Sequence, residues 1–334
     1  MSYIIDNYPS YKGLHCTSTI LQELSNFYGN NLSEAMCFGL GSGLSFSYFS
    51  YTDRFPRLIH TRTPMLEKNF LDNVGYKDFR WNYRENIDLN QMIENINKDI
   101  PIIAITETSQ LGFHYGDKVN IASHTISIIG YDLSTQEFYI SDYINNGVIP
   151  IKMKNFIRAA GVAKMPFTEK NIWAPITPFS VDLHESINSA IFYNSKHMLQ
   201  EINPNCGISG IRKLSEEILY WPGLPEWEGC CLGTYLILEK VGSGGGGFRN
   251  LYYRFLKEVE ERIPEYKSVN ASETMNELYN LYKQIAKIFF RCGRSKDSKY
   301  LLEIKELLEE LYEVEKNFWT KIKMVSGQLQ QQLI

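Results

Sequence analysis

No apolar run in this sequence of 334 residues approaches the roughly 20 residues that span a bilayer. An integral membrane protein built on long apolar helices is therefore not expected. Positive charge is not in excess: 34 Lys and Arg stand against 38 Asp and Glu, a formal net charge of -4. That balance argues against nucleic acid or an anionic membrane as the main partner. The opening residues, Met1-Ser2-Tyr3-Ile4-Ile5-Asp6, contain no basic segment followed by an apolar one. They do not read as a signal peptide, so a cytoplasmic protein with reduced thiols is expected.

Cysteine is sparse and irregularly spaced, at Cys16, Cys37, Cys206, Cys230, Cys231 and Cys292. There is no C-x-x-C pair and no Cys/His cluster of zinc spacing, and adjacent Cys230 and Cys231 sit too close to share one ion comfortably, so no metal site is expected. No Gly-Lys-Ser/Thr follows the glycine-rich run 242–247, which excludes a P-loop. That run formally satisfies G-x-G-x-x-G, but only helical pattern follows it. Without a second strand no dinucleotide-binding unit is completed, and the run is expected to be a flexible loop where backbone approaches substrate or the first domain. No internal repeat is visible.

What is present is a chain long enough for two domains, 44% hydrophobic and rich in aromatics, with 22 Tyr. In the first half, Ile20, Leu21, Leu24, Phe27 and Tyr28 recur at helical spacing until Gly29 stops them. Asn31 with Glu34 three residues on reads as the capping box of a short second helix, which ends in Gly39-Leu40-Gly41-Ser42-Gly43. These glycines either shape a pocket beside Cys16 or make a tight turn, and the turn is the preferred reading. Strands are expected at 46–51 and 57–61, a helix between Pro64 and Gly75, another over 89–100, and strands at 101–106, 119–131 and 137–143. The order of helices and a mainly antiparallel sheet makes the class α+β. Prolines at 166, 175 and 178 suggest a boundary near 165–179. Beyond it, helices are expected at 184–202, 208–219, 250–263, 272–290 and 298–322, with one strand at 235–241 and a frayed polar end at 328–332.

One cysteine stands apart. Cys16, in Gly13-Leu14-His15-Cys16-Thr17-Ser18-Thr19, falls where a loop turns into a helix, and the positive end of the macrodipole there favours a thiolate. It lies four residues before Ile20 and so shares that helix's inward face. His15 adjoins it, but neighbours on a helix point about 100° apart, so His15 reads as a capping or packing residue. His60, His114, His184 and His197 have no acidic partner at an interpretable spacing. His124 does. It shares one strand face with Ile126 and Ile128, and Asp142 shares a face with Phe138 and Ile140. In a hairpin centred near Leu133, position 124 falls opposite 142, within reach of a hydrogen bond. His124 would then take the thiol proton or pair with the thiolate, and Asp142 would orient the imidazole. The competing reading is a buried His–Asp hydrogen bond that only supports the sheet.

The run 13–19, together with Leu32-Ser33-Glu34-Ala35-Met36-Cys37-Phe38-Gly39-Leu40-Gly41-Ser42-Gly43-Leu44, resembles the N-terminal domain of the butirosin-biosynthesis H (BtrH) family. Gly242-Ser243-Gly244-Gly245-Gly246-Gly247-Phe248-Arg249 resembles the signature of the domain that follows it in many of those proteins. The resemblance implies a papain-like, cysteine-protease-like fold turned to biosynthesis. In the butirosin case an aminoacyl group moves from a carrier-protein thioester to an amine, and a relative from closthioamide biosynthesis forms amides between carrier-bound acyl chains and a diamine. By the resemblance Cys16 matches the nucleophile, His124 the base and Asp142 the orienting acid. One departure matters: papain-like enzymes often carry a Gln oxyanion donor about six residues before the nucleophile, where this chain has Ser10 beside Tyr11. The Cys16 N–H serves as one donor, with Ser10 and Tyr11 the weak candidates for the second. Arg249 is a candidate for a phosphate of a phosphopantetheine arm, against the plainer reading of a surface salt bridge.

The expected protein is thus a papain-like catalytic domain over 1–165 and a mainly helical domain over 166–334. The expected function is amide-forming acyl transfer through a Cys16 acyl-enzyme. The acyl donor would be an acyl or peptidyl carrier protein bearing phosphopantetheine, the acceptor a small amine, and the enzyme would need no cofactor of its own. A cysteine peptidase or amide hydrolase on the same triad is the alternative, and a non-catalytic binding protein the second. The sequence leaves the oligomeric state open, a homodimer included.

Overall fold

The computed structural model describes residues 1–50, 56–77, 79–83, 85–113, 123–162 and 169–331. Along the chain the elements are β1 (Ser2–Ile4), α1 (Cys16–Phe27), α2 (Glu34–Leu40), β2 (Leu44–Ser50), β3 (Arg57–Arg62), α3 (Leu66–Asn73), α4 (Leu89–Ile96), β4 (Ile102–Thr106), β5 (His124–Asp132), β6 (Glu137–Ser141), β7 (Ile149–Lys152), α5 (Met153–Ala160) and β8 (Trp173–Pro175). Helices then follow: α6 (Leu183–Met198), α7 (Gly207–Glu217), α8 (Trp227–Glu239), α9 (Arg249–Arg262), α10 (Pro264–Ser268), α11 (Ala271–Ser295) and α12 (Tyr300–Gln331). The class is α+β, as the residue patterns require. None of the described helices is long and apolar enough to cross a membrane.

The chain forms two compact units, Met1–Cys37 with Gly75–Val181, and Phe38–Val74 with Asp182–Ile334. This differs from a single cut at 165/166. The chain crosses from the first unit to the second inside α2, and β2, β3 and α3 belong with the C-terminal helices. The reason lies in packing that no linear pattern announces. β2 and β3 form a two-stranded sheet of their own, and its contacts run to α7 and α8.

In the first unit, an antiparallel sheet of order β7-β6-β5-β4-β8 is extended by β1, which pairs with β5 at Ser2↔Asp132. β5 is the central strand. From His124 to Tyr131 every residue is buried, so the strand is covered on both faces rather than half-exposed. The expected strand over 119–131 is seen from His124; 119–122, the Tyr51 end of the expected strand 46–51, His114 and Pro166 lie outside the described residues. α1 packs on β5, and its Ile20, Leu21 and Leu24 are nearly inaccessible. The hydroxyls of Thr17 and Thr125 meet at 2.8 Å across that contact.

In the second unit, α11 packs against α8, α9 and α12, and α12 against α6 and α7. The expected strand at 235–241 is instead part of α8. Tyr235-Leu236-Ile237-Leu238 is an apolar run, but Cys230, Cys231, Thr234 and Leu238 are buried at helical spacing. Helix α12 continues to Gln331, so 328–331 is helical rather than frayed, and Gln332 lies outside the described residues.

Candidate active site

Helix α1 begins at Cys16 because the residues before it are tied down. His15 is the N-cap, with φ -142° and ψ 135°, and its Nδ1 accepts the Ser18 N–H at 3.3 Å. The Glu34 carboxylate, arriving on α2, accepts from the backbone N–H of Leu14 (3.0 Å) and His15 (2.9 Å) and from the hydroxyls of Ser18 (3.0 Å) and Thr19 (3.2 Å). The cap of α2 is Ser33, whose hydroxyl accepts the Met36 N–H at 2.9 Å. The expected capping box of Asn31 and Glu34 is therefore not formed. Glu34 is spent instead on the segment that presents the thiol, a role the local sequence around 31–34 does not signal.

Cys16 thus occupies the first helical position, at the positive end of the macrodipole. It is 7% exposed, His124 is 1% exposed and Asp142 is fully buried. His124 Nε2 lies 2.5 Å from Asp142 Oδ2, which leaves Nδ1 as the ring nitrogen for the Cys16 thiol. Burial of the thiol favours its neutral form. The field of the nearby His15 ring and hydrogen bonds from His124 and His15 outweigh that and hold the Cys16 pKa well below the usual thiol range. Burial works against the imidazolium of His124, but the Asp142 charge and hydrogen bond, with contributions from Cys16, push its pKa up to about 10. The arrangement favours a thiolate–imidazolium pair at neutral pH. The ring of Tyr143 stands 5.7 Å from that of His124.

The route by which His124 and Asp142 meet differs from the expected one. The observed register pairs Ser127 with Ser141 and Ile128 with Ile140, then shifts at a bulge before Gly130↔Tyr139. Continued by one residue past Ser141, it sets Asp142 opposite Ile126, so His124 and Asp142 are diagonal neighbours on one face rather than directly opposed. Diagonal side chains in a sheet still lie within reach of one another. The turn is centred beyond Leu133, and the one-residue shift at the bulge returns Asp142 to the face that carries His124.

Ser10 and Tyr11 have hydrogen-bond partners other than the thiol, the Tyr11 hydroxyl accepting from Asn26 Nδ2 at 3.4 Å. Ser10 Oγ is 2.6 Å from Ser141 Oγ, and the Tyr11 N–H donates to Glu23 Oε1 at 2.7 Å. Glu23, two turns along α1 from Cys16, also accepts from the Ser141 hydroxyl at 2.8 Å, and its Oε2 is buried with no hydrogen-bond partner among the described residues. Burial, reinforced by the charge of Asp142, raises the Glu23 carboxyl to about 8. Nothing in the spacing of Glu23 marks it, since a charged residue in an apolar helix stripe is usually read as solvated.

Arg249 is neither a surface ion pair nor exposed to an incoming phosphate. It is wholly buried in the second unit, with Nη2 2.7 Å and Nε 3.1 Å from Glu315 Oε1. Its Nη1 donates to the carbonyls of Gly247 (2.9 Å), Ser45 (3.4 Å) and Thr61 (3.5 Å), and its guanidinium lies 4.1 Å from the Tyr282 ring centre. The glycine-rich loop before it is committed to the fold: Gly246 and Gly247 donate to Glu239 Oε1 and the Leu238 carbonyl. Residues 244–248 all have positive φ, and a Cβ on Gly246 would meet Tyr279 at 2.4 Å. Gly39, Gly41 and Gly43 are likewise packing sites, their Cβ positions occupied by Phe255, Leu66 and Phe38. Among the described residues, no group of His, Cys, Asp or Glu is placed to hold a metal ion.

Comparison with known proteins places residues 15–143 in the family model "Butirosin biosynthesis protein H, N-terminal" and residues 155–322 in "Domain of unknown function (DUF4872)". No curated protein matches the chain. Among solved structures, that of a C39-like peptidase from Bacillus anthracis is similar at 12% identity and a TM-score of 0.36, covering 54% of this chain and 99% of its own. The N-terminal match begins at His15 and ends at Tyr143, so it takes in Cys16, His124 and Asp142.

Proposed function

We propose that this chain, which belongs to the DUF4872 family and carries a butirosin biosynthesis protein H N-terminal domain ahead of it, is a cysteine-nucleophile acyltransferase that forms amide bonds. The observation that carries the reading is the buried constellation of Cys16 at a helix N-terminus, His124 against it, and Asp142 2.5 Å from His124. A thiol activated in this way reacts with acyl groups that are already activated. A thioester on the phosphopantetheine arm of a carrier protein is the donor class that the resemblance to the BtrH family suggests.

In the first step the Cys16 sulfur bonds to the thioester carbonyl carbon and the carbonyl electron pair moves to oxygen. As that pair returns, the bond to the donor sulfur breaks, and the donor leaves with its electrons and takes the His124 proton. In the second step an amine adds to the acyl-enzyme, His124 accepts the amine proton, and Cys16 departs as thiolate. The Cys16 N–H, without an intrahelical acceptor at the first helical position, is one donor to the oxyanion.

Intact-protein mass spectrometry after mixing with an acyl N-acetylcysteamine thioester, and then with an acyl-loaded carrier protein, tests the reading. One acyl mass on Cys16, absent in Cys16→Ser, is the expected result. Equal turnover by the variant, or no acyl mass on the unsubstituted protein, would sink the nucleophile assignment. Adding amines to the acylated enzyme separates the outcomes: amide product is expected, whereas release of free acid regardless of amine marks a hydrolase.

A further inference from the structure

The Ser10 hydroxyl and the Tyr11 N–H, at the positions where the sequence suggests the second oxyanion donor, are taken up by Ser141 and Glu23. The site contains another candidate. His15 directly precedes the nucleophile, and the usual 100° separation of helical neighbours does not apply to it. As N-cap it has extended backbone angles, φ -142° and ψ 135°, and its ring turns back over the first turn of α1. There Nε2 comes to 3.9 Å from the Cys16 sulfur. The other nitrogen settles the tautomer. A backbone N–H can only donate, so Nδ1, which receives the Ser18 N–H at 3.3 Å, is an acceptor, and the ring hydrogen is on Nε2. The ring is 3% exposed, and its backbone is held by Glu34, which accepts the His15 N–H at 2.9 Å.

From this geometry we propose that His15 is a catalytic residue, its Nε2–H facing the Cys16 thiolate in the resting enzyme and hydrogen-bonding the acyl oxyanion once the sulfur has attacked. An oxyanion forms on a carbon bonded to the sulfur, so its oxygen sits within about 3 Å of that sulfur, inside hydrogen-bond range of a donor placed beside it. The proposal rests on Cys16 being the nucleophile. It replaces the side-chain amide, absent at position 10, by an imidazole N–H from the residue before the thiol. No proton is transferred by His15: its second nitrogen is engaged by the helix N-terminus, and the proton traffic belongs to His124.

The test compares two reactions of one sulfur in the full-length protein. Alkylation by iodoacetamide is a direct displacement at carbon and develops no oxyanion. Acylation by an acyl N-acetylcysteamine thioester does. Both are followed by intact mass in single turnover for the unsubstituted protein, His15→Asn, His15→Ala and His15→Gln. Asparagine keeps an N-cap but is too short to reach the sulfur, so His15→Asn separates capping from oxyanion donation. In His15→Asn and His15→Ala, acylation is expected to slow by about 10²–10³-fold. Alkylation at saturating pH is expected to change by less than about 10-fold, and His15→Gln, with a longer amide donor, to recover part of the acylation rate. Parallel loss of both reactions, or acylation unaffected in His15→Asn, would overturn the proposal while leaving Cys16 as nucleophile. Failure of the unsubstituted protein to acylate at all would overturn the nucleophile reading and this proposal together.

Discussion

At the residue scale, Cys16, His124 and Asp142 are three neighbouring side chains whose ionisation is coupled. Cys16 is held below the ordinary thiol range and His124 above the ordinary imidazole range, so the ion pair exists where a free Cys–His pair would be mostly neutral. The signs give a pH window. The depressed thiol protonates well below the usual thiol range, and His124 loses its proton as pH rises through about 10. Iodoacetamide labelling of Cys16 should therefore change by less than about 3-fold between pH 6 and 8, whereas a free cysteine, with a pKa near 8.5, changes by more than about 10-fold. A labelling profile that tracks free cysteine would contradict the pair. Asp142 is the residue that keeps His124 charged and oriented. Asp142→Asn is expected to slow single-turnover acylation by ~10²–10⁴-fold and to move the labelling profile toward higher pH.

At the scale of elements, two carboxylates that the linear sequence shows only as isolated charges tie α1 to its neighbours: Glu34 of α2 holds its first turn, and Glu23, two turns along, holds Ser141 at the end of β6. Glu23 is the instructive case. Its carboxyl titrates near 8 in the folded protein against about 4.3 when unfolded. Its proton therefore stabilises the fold below about pH 4, and that contribution is lost as pH rises through 8. Glu23→Gln keeps an acceptor for the Tyr11 N–H and the Ser141 hydroxyl while removing the charge. Chemical denaturation should show the variant gaining stability over the unsubstituted protein at pH 8.5 relative to pH 5, by on the order of 1–3 kcal/mol. An unchanged difference between the two pH values would mean that Glu23 is charged in place and paired with a group outside the described residues. The hairpin of β5 and β6 carries a related lesson. Unbroken alternation about the observed turn would set Asp142 opposite Ser127, on the other face from His124; the one-residue shift at the bulge sets it opposite Ile126, on the same face and diagonal to His124.

At the scale of the whole molecule, the second unit is organised around Arg249. One guanidinium ties the glycine loop, the β2–β3 sheet and α12 together by hydrogen bonds to Gly247, Ser45, Thr61 and Glu315. Glu315 also accepts from the Trp319 indole. Removing one partner of a buried ion pair leaves the other charge uncompensated, a cost of about 3–5 kcal/mol. Arg249→Ala and Glu315→Ala should each lower the thermal midpoint of this unit by several degrees or leave the protein insoluble, and Arg249→Met with Glu315→Met should recover part of the loss. Calorimetry checks this; single variants as stable as the parent would remove Arg249 from its structural role. In the sequence Arg249 reads as a phosphate ligand because it follows a glycine-rich run, and its burial is not visible there. An arginine beside a glycine-rich loop has that appearance whether or not the loop's N–H groups are already occupied.

The class, the helices of clear 3.6-residue periodicity, the helix start at Cys16 and the meeting of His124 with Asp142 are legible in the residue pattern alone. Those features are local: a helix start at Cys16 and two alternating strands about one turn. The tertiary structure decided what depends on non-local contact. It assigned residues 38–74 to the unit of the C-terminal helices, made 235–239 helix rather than strand, and turned Arg249 inward. It also brought His15 and Glu34 to the segment that carries Cys16. Apolar runs of five or six residues suit a strand or a buried helix equally well, and only their neighbours choose between them. A charged side chain likewise shows its partner only when the chain has folded, because that partner comes from a distant segment.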